Sequence, residues 1–219
     1  MTDIDNALPE LSPEEIRVLG SLLEKNKTTP DYYPMTLNAL TAACNQKSSR
    51  KPVVEYEEQT VSQAISRLKA LSLVATAIGS GTRTIKYKHN FSTVYPLNEA
   101  SQAILCLLFL RGPQTPGEIN TNAGRLHEFT SLESVLDTLV NLQSANPPFV
   151  VELPKQAGQK EKRFAHCFGA LPAEVDLSET FTQVTTASSD SLEQRLQKVE
   201  DELAVVKEQV QKLLKELLG

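Results

Sequence analysis

From Leu11 to Phe91 the chain changes its hydrophobic period twice. In LSPEEIRVLGSLLEKN, Ile16, Leu19, Leu22 and Leu23 recur at the spacing of one helix face. Ser12, Pro13 and Glu15 supply a capping box with proline at the first helical position. TTPDYYP, with two prolines, predicts a loop. TLNALTAACN predicts a second helix from about Thr36 to Asn45, buried through Leu37, Leu40 and Cys44. QKSSRKPVVEY is polar and basic, and Pro52 forces an extended path. EEQTVSQAISRLKALSLV then returns to the helical period through Val61, Ala64, Ile65, Leu68 and Leu71. Directly after it, two β-capable runs in VATAIGSGTRTIKYKHNF flank Gly79-Ser80-Gly81 and predict a hairpin.

A weaker copy follows. LNEASQAILCLLFLRG predicts a more apolar, deeper helix, and PQTPGEINTNAG a short one capped near Thr115. TSLESVLDTLVNLQSA predicts a third, with Leu132, Val135, Leu136, Leu139 and Leu142 in one register. FVVELPKQAGQKEKRFAHCF reads as strand, turn around Gly158, strand. Laid on the first copy, Thr115-Pro116 matches Thr29-Pro30, and Arg163 to Phe168 matches Lys86 to Phe91. A tandem repeat is the simplest account.

The end of the chain has a different period. Leu192, Leu196, Val199, Leu203, Val206, Val210, Leu213 and Leu217 are spaced 4, 3, 4, 3, 4, 3, 4. That is an a/d heptad, capped by Asp190 and Ser191, and it predicts self-association through a coiled coil. In a parallel homodimer Arg195 faces Glu200 and Glu202 faces Lys207; an antiparallel pair, with Arg195 on Glu216, also attracts. The predicted organisation is a tail over 1–10, winged-helix domains over 11–92 and 97–169, a linker over 170–188 and a coiled-coil helix over 189–219. The fold class is mainly α with small β-hairpin wings.

Charge sharpens this picture. The net charge is −5, yet residues 11–92 carry +4 (11 Lys/Arg against 7 Asp/Glu) and residues 170–219 carry −5. The basic excess sits on the first domain. Three scattered cysteines argue against a disulfide framework and for a reducing compartment, and the acidic start lacks the pattern of a secretory signal. No apolar run approaches a membrane span. The expected location is cytoplasmic.

The third helix carries the candidate chemistry. Opposite its apolar face stand Gln59, Ser62, Gln63, Ser66 and Arg67, side chains that read base edges in a major groove. Lys47, Arg50 and Lys51 precede it, and Arg83, Lys86 and Lys88 lie in the wing, where they are placed to straddle phosphates. Glu57 and Glu58 weigh against this, since they repel phosphate at the helix start. A plain solvated face is the alternative reading. The loop Asn45 to Arg50 reads equally as a contact to DNA backbone or to a partner and as a structural tie, its amides bonding to TTPDYYP. The second domain, with Glu133 and Asp137 on its third helix, fits DNA less well.

No phosphate loop, nucleophile motif or clustered metal ligands are present, so neither catalysis, a cofactor nor a metal is expected. His89 and His166 take equivalent wing positions, which predicts a repeated structural role such as hydrogen bonding to backbone.

LGSLLEKNKTTPDYYPMTLNALTAACNQKSSRKPV, LLFLRGPQTPGEI and EKRFAHCF resemble the YceH family of uncharacterised bacterial proteins. The resemblance spans about residues 11–168 and rests on Glu24, Lys25, Thr28 to Pro30, Tyr33, Pro34, Asn38 and Asn45 to Ser48, with Arg50. In the second copy Arg111, Gln114, Thr115, Glu118, Arg125 and His127 match. It implies tandem winged helices and a bacterial cytoplasmic setting, and no particular activity. Ser49 and Lys51 depart from the pattern, where Asn and Asp are usual, and Gln156 and Gln159 stand in a second wing that is usually more basic. The leading expectation is a regulatory protein that binds double-stranded DNA; the alternative is a protein-interaction adaptor that does not.

Overall fold

The computed structural model describes residues 7–78, 84–155 and 161–170. All of them belong to the first of two units, residues 1–172 and 173–219, into which the chain divides. The heptad residues, Asp190, Ser191 and most of the expected linker lie outside the described residues.

The described residues are mainly helical with two small antiparallel hairpins. α1 (Pro13–Thr28), a 3-10 turn (Pro30–Tyr32), α2 (Leu37–Cys44) and α3 (Glu58–Ala70) lead into β1 (Val74–Ile78) and β2 (Ile85–His89). A short α4 (Phe91–Val94) connects to α5 (Glu99–Arg111), α6 (Pro116–Ala123), α7 (Leu132–Gln143), β3 (Val150–Leu153) and β4 (Arg163–His166). Three helices and a hairpin thus occur twice in the same order.

Local sequence explains the boundaries. Ser12 and Glu15 close a reciprocal capping box on α1, and Thr115 and Glu118 close another on α6. Thr36 caps α2 through the amide of Ala39. In each copy the residue before that threonine joins the hairpin: Met35 exchanges backbone bonds with Tyr87 at 2.7 and 3.0 Å, and Gln114 with Phe164 at 2.9 and 3.1 Å. These bridges correct the alignment of the two copies. Thr115 corresponds to Thr36, not Thr29, and the 3-10 turn at Pro30 is an insertion in the first copy. The wing half of the alignment, Tyr87 on Phe164, stands.

One hydrophobic core runs through both copies. α5 lies deepest: nine of its residues, Ser101 and Ala103–Leu110, are buried. α4, unforeseen in the sequence, turns Phe91 and Tyr95 into a ring cluster on Phe168, with centroids at 5.6 and 5.4 Å. Phe109 meets the same ring edge-on at 5.4 Å. Offset and edge-on pairs of this kind add to the burial of the rings themselves.

α1 packs against α5 at Gly20. A Cβ there would lie 3.0 Å from Cβ of Phe109 and 3.0 Å from Cδ2 of Leu110. Cys106 donates its thiol to the Gly20 carbonyl at 3.5 Å. Gly20→Val is therefore expected to push the helices apart and lower stability by roughly 1–3 kcal/mol, read by urea denaturation. An unchanged midpoint would show that the pair re-spaces freely.

α7 departs from expectation. Val135, Leu139 and Leu142 are buried, but Leu132 and Leu136, expected beside them, are 47% and 41% exposed, with Val140 at 58%. The helix carries two apolar stripes at helical spacing, and only one meets the core.

Candidate nucleic-acid interface

α3 turns Val61, Ala64, Ile65 and Leu68 inward. Gln59, Gln63, Ser66 and Arg67 are exposed and Ser62 half-buried, so the sequence-predicted stripe does share an open face. The Ser66 hydroxyl donates to the Ser62 carbonyl at 2.9 Å. The Arg67 side chain, 63% exposed, lies 3.6 Å from Glu15. A surface pair of that kind is worth no more than about 1 kcal/mol, so it leaves the guanidinium available. Glu57 caps α3 without a side-chain bond and Glu58 occupies its first turn. In β2, Lys86 is half-buried and Lys88 exposed, and the alternation of a strand puts both on the side opposite Tyr87. Lys47 is exposed. Arg83 lies outside the described residues.

Arg50 is a correction. Its side chain is fully buried, paired with Glu24 through Nη2 at 2.6 Å and Nη1 at 3.1 Å. Nε and Nη2 also donate to the Ala43 carbonyl at 3.2 and 3.0 Å. Burial alone would raise the Glu24 carboxyl, but the hydrogen bonds and charge of Arg50 outweigh it and hold the group below its ordinary value. Arg17, a second buried arginine that the sequence did not single out, donates to the carbonyls of Cys44 at 3.1 Å and Pro52 at 2.6 Å. Two arginines thus satisfy carbonyls left open at the C-terminal end of α2.

The loop after α2 is held by bonds within the fold, with Lys47 left exposed. Asn45 exchanges both bonds with the Tyr56 backbone at 2.8 Å, so the chain leaves and returns at one place. Between those points the Lys51 amide donates to the Leu110 carbonyl at 2.8 Å, and Arg111 donates to Ser49 Oγ at 3.0 Å. The loop is thus tied to α1 and to the end of α5, and not to TTPDYYP as its sequence suggests. It brings Lys51 into a polar cleft of about 290 Å³ whose other walls come from α5, α6 and β4. There Arg163 grips Glu118 with two bonds of 2.7 and 2.9 Å. Those bonds hold the Glu118 carboxyl below its ordinary value, with the nearby charge of Lys51 acting the same way. In the sequence Arg111, Gln114 and Glu118 stand out only as matching motif positions, because their convergence depends on the tertiary fold.

His89 and His166 are half-buried, one in each hairpin. His166 Nδ1 accepts from the Phe168 amide at 3.3 Å, the expected backbone contact. His89 instead accepts at Nε2 from the Asn26 side chain at 3.0 Å. Burial pushes each pKa down to about 4. The same cause raises the thiols of Cys44 and Cys167 to about 11, which keeps them protonated and unreactive near neutral pH. Among the described residues no group of three or more His, Cys, Asp or Glu is placed to hold a metal ion. Nor, among them, is any helix long and apolar enough to cross a membrane.

Residues 11–159 match the family described as "Protein of unknown function, DUF480". The chain belongs to this family. The match agrees with the YceH resemblance of its motifs. The "UPF0502 protein" of Opitutus terrae is 48% identical over 166 residues, covering 75% of this chain and 72% of that protein. A namesake from Shewanella baltica is 44% identical over 174 residues, 78% of each. That of Shewanella halifaxensis is 40% identical over 213 residues, 94% of this chain and 99% of the relative. DUF480 membership thus spans α1 through β3, including α3 and most of the cleft.

Proposed function

We propose that this protein is a non-catalytic, cytoplasmic DNA-binding protein built of tandem winged helices. In this reading α3 enters the major groove and the β1–β2 wing lies along the phosphates. The observation that carries it is the contrast between the two third helices. The outer face of α3 is polar and open, with Gln59, Gln63 and Arg67 able to donate and accept at base edges. Lys47, Lys86 and Lys88 remain for the backbone. Arg50 does not take part, and Lys51 turns toward the cleft. A homodimer formed through the C-terminal heptad would set two such helices on one duplex.

The test is binding to mixed duplex fragments across a salt series. Wild-type affinity is expected to fall steeply with salt, and Lys47→Ala/Lys86→Ala/Lys88→Ala to flatten the slope by about 0.9 for each phosphate no longer neutralised. Gln63→Ala/Arg67→Ala is expected to remove preference among sequences while leaving that slope in place. No binding at low salt by a folded protein would overturn the reading. A second reading, a protein-interaction adaptor, is favoured by α7, whose outer face presents Leu132, Leu136 and Val140 beside Glu133 and Asp137. Apolar side chains at that spacing suit a protein partner better than a nucleic acid.

A further inference from the structure

The cleft between the loop after α2 and the start of α6 has features that DNA binding by α3 does not use. It measures about 290 Å³ and its lining is mostly polar. Four cationic side chains reach it, and two are already committed. Arg50 is held by Glu24, and Arg163 by Glu118 and the Pro113 carbonyl at 2.9 Å. Lys51 and Arg111 are not. Neither forms an ion pair among the described residues, and Arg111 gives one bond to a neutral hydroxyl, Ser49 Oγ. Setting Glu118 and Glu24 against their partners leaves a local surplus of two positive charges.

The second observation is Gln114. It is 4% exposed, and its Oε1 accepts from Asn122 Nδ2 at 2.9 Å. That bond leaves Nε2 as a buried donor, and Nε2 has no protein partner. A buried amide donor left unmatched costs stability. Gln114 is one of the residues that line the cleft, so an acceptor brought there from outside would match it. The neighbouring Gln114 backbone is fixed by its bridge to Phe164, so the amide is held in place before any ligand arrives.

We propose that this cleft binds a small phosphorylated anion, with Lys51 and Arg111 taking its charge and the Gln114 amide donating to one of its oxygens. Two unpaired cations match a doubly charged phosphate group, whereas a single carboxylate would neutralise only one. Arg111 supplies a planar fork and Lys51 a point charge, a combination suited to phosphate oxygens. The space exceeds one phosphate, so the ligand carries a further group. Because the cleft is built from both copies of the helix-and-hairpin unit, occupancy would brace one against the other. This inference is independent of the DNA reading.

The test is calorimetric titration of the full chain with inorganic phosphate, pyrophosphate and citrate at matched ionic strength. Pyrophosphate is expected to bind saturably, and Lys51→Gln/Arg111→Gln to weaken it at least tenfold, about 1.4 kcal/mol, with an unchanged circular dichroism spectrum. Lys51 is exposed, so Lys51→Glu retains the fold and is expected to lower affinity on its own if the double variant fails to fold. Absence of saturable binding, equal binding by the folded variants, or citrate binding as tightly as pyrophosphate would each overturn the proposal. So would competition by duplex DNA that these variants abolish, since the cleft would then be holding a DNA phosphate.

Discussion

Arg50→Met is expected to destabilise the protein by about 3–5 kcal/mol, the cost of stripping one partner from a buried ion pair. The guanidinium is fully buried, and it makes five hydrogen bonds: two to Glu24, two to the Ala43 carbonyl and one to the Ser49 carbonyl at 3.1 Å. Removing it leaves the Glu24 carboxylate, only 14% exposed, without its two-pronged partner, and the Ala43 carbonyl near the end of α2 without the donors Arg50 supplied. Lys25, 3.6 Å from the same carboxylate, cannot replace a two-pronged contact. For a unit of this size a loss of that magnitude lowers the melting temperature by roughly 10 °C or more. Glu24→Leu/Arg50→Met removes both charges and is expected to recover at least half of the loss, because an apolar pair of similar volume is often no worse than a buried ion pair. The recovery separates charge burial from changes in packing. A loss below about 1 kcal/mol for Arg50→Met would show the guanidinium to be dispensable to the fold and would make it available again as a DNA contact.

That residue also marks the boundary of what the sequence could convey. The buried faces of α1 and α3, the capping box at Ser12, the cap at Thr115 and both hairpins follow from spacing over a few residues, and the structure has them where the spacing puts them. Arg50 sits in a run of polar residues, QKSSRK, which by composition alone belongs to solvent. Its partner Glu24 lies 26 positions upstream, a distance over which no local period speaks. α7 poses a different problem. Leu132, Leu136 and Val140 recur at steps of four, as compatible with one helix face as the steps of four and three through Val135, Leu139 and Leu142, and spacing identifies a stripe without saying which stripe the rest of the molecule covers. α4 escaped notice because its four residues are too few to show a period. The mismatch of Thr29 with Thr36 arose because both threonines precede a helical segment; only the Met35–Tyr87 bridge distinguishes them. The α3 stripe was legible because its exposure follows directly from burial of the opposite face. The cleft was not, since loop, α5, α6 and β4 meet there only in the folded chain.

Mild acid is expected to destabilise the protein more steeply than its surface charge alone would. His89 and His166 have folded pKa values near 4 against an ordinary value of 6.5, and burial is the cause. The folded state holds both rings neutral, so the unfolded state takes up more protons once the pH falls below about 6.5. Stability is therefore lost from there down to about pH 4 and levels off below, with about 2–3 kcal/mol lost for each histidine by pH ~4.5. The geometry gives the same sign. A proton on His166 Nδ1 displaces the amide of Phe168 that the nitrogen accepts, and a proton on His89 Nε2 faces the donor amide of Asn26. His89 Nδ1 already lies buried without a protein partner, so nothing there compensates an added charge. Glu24 extends the trend: its carboxyl is held below 4.5, so the stability it contributes is lost as the pH falls through that region toward its folded value. Urea denaturation at intervals from neutral pH to about 4.5 reads the slope. His89→Gln/His166→Gln, whose amides carry no charge at any of these pH values, is expected to flatten it above about pH 5, where Glu24 does not yet titrate. A wild-type curve that is flat over this interval, or a slope that persists in the double variant, would show that the two rings are not the groups that resist protonation.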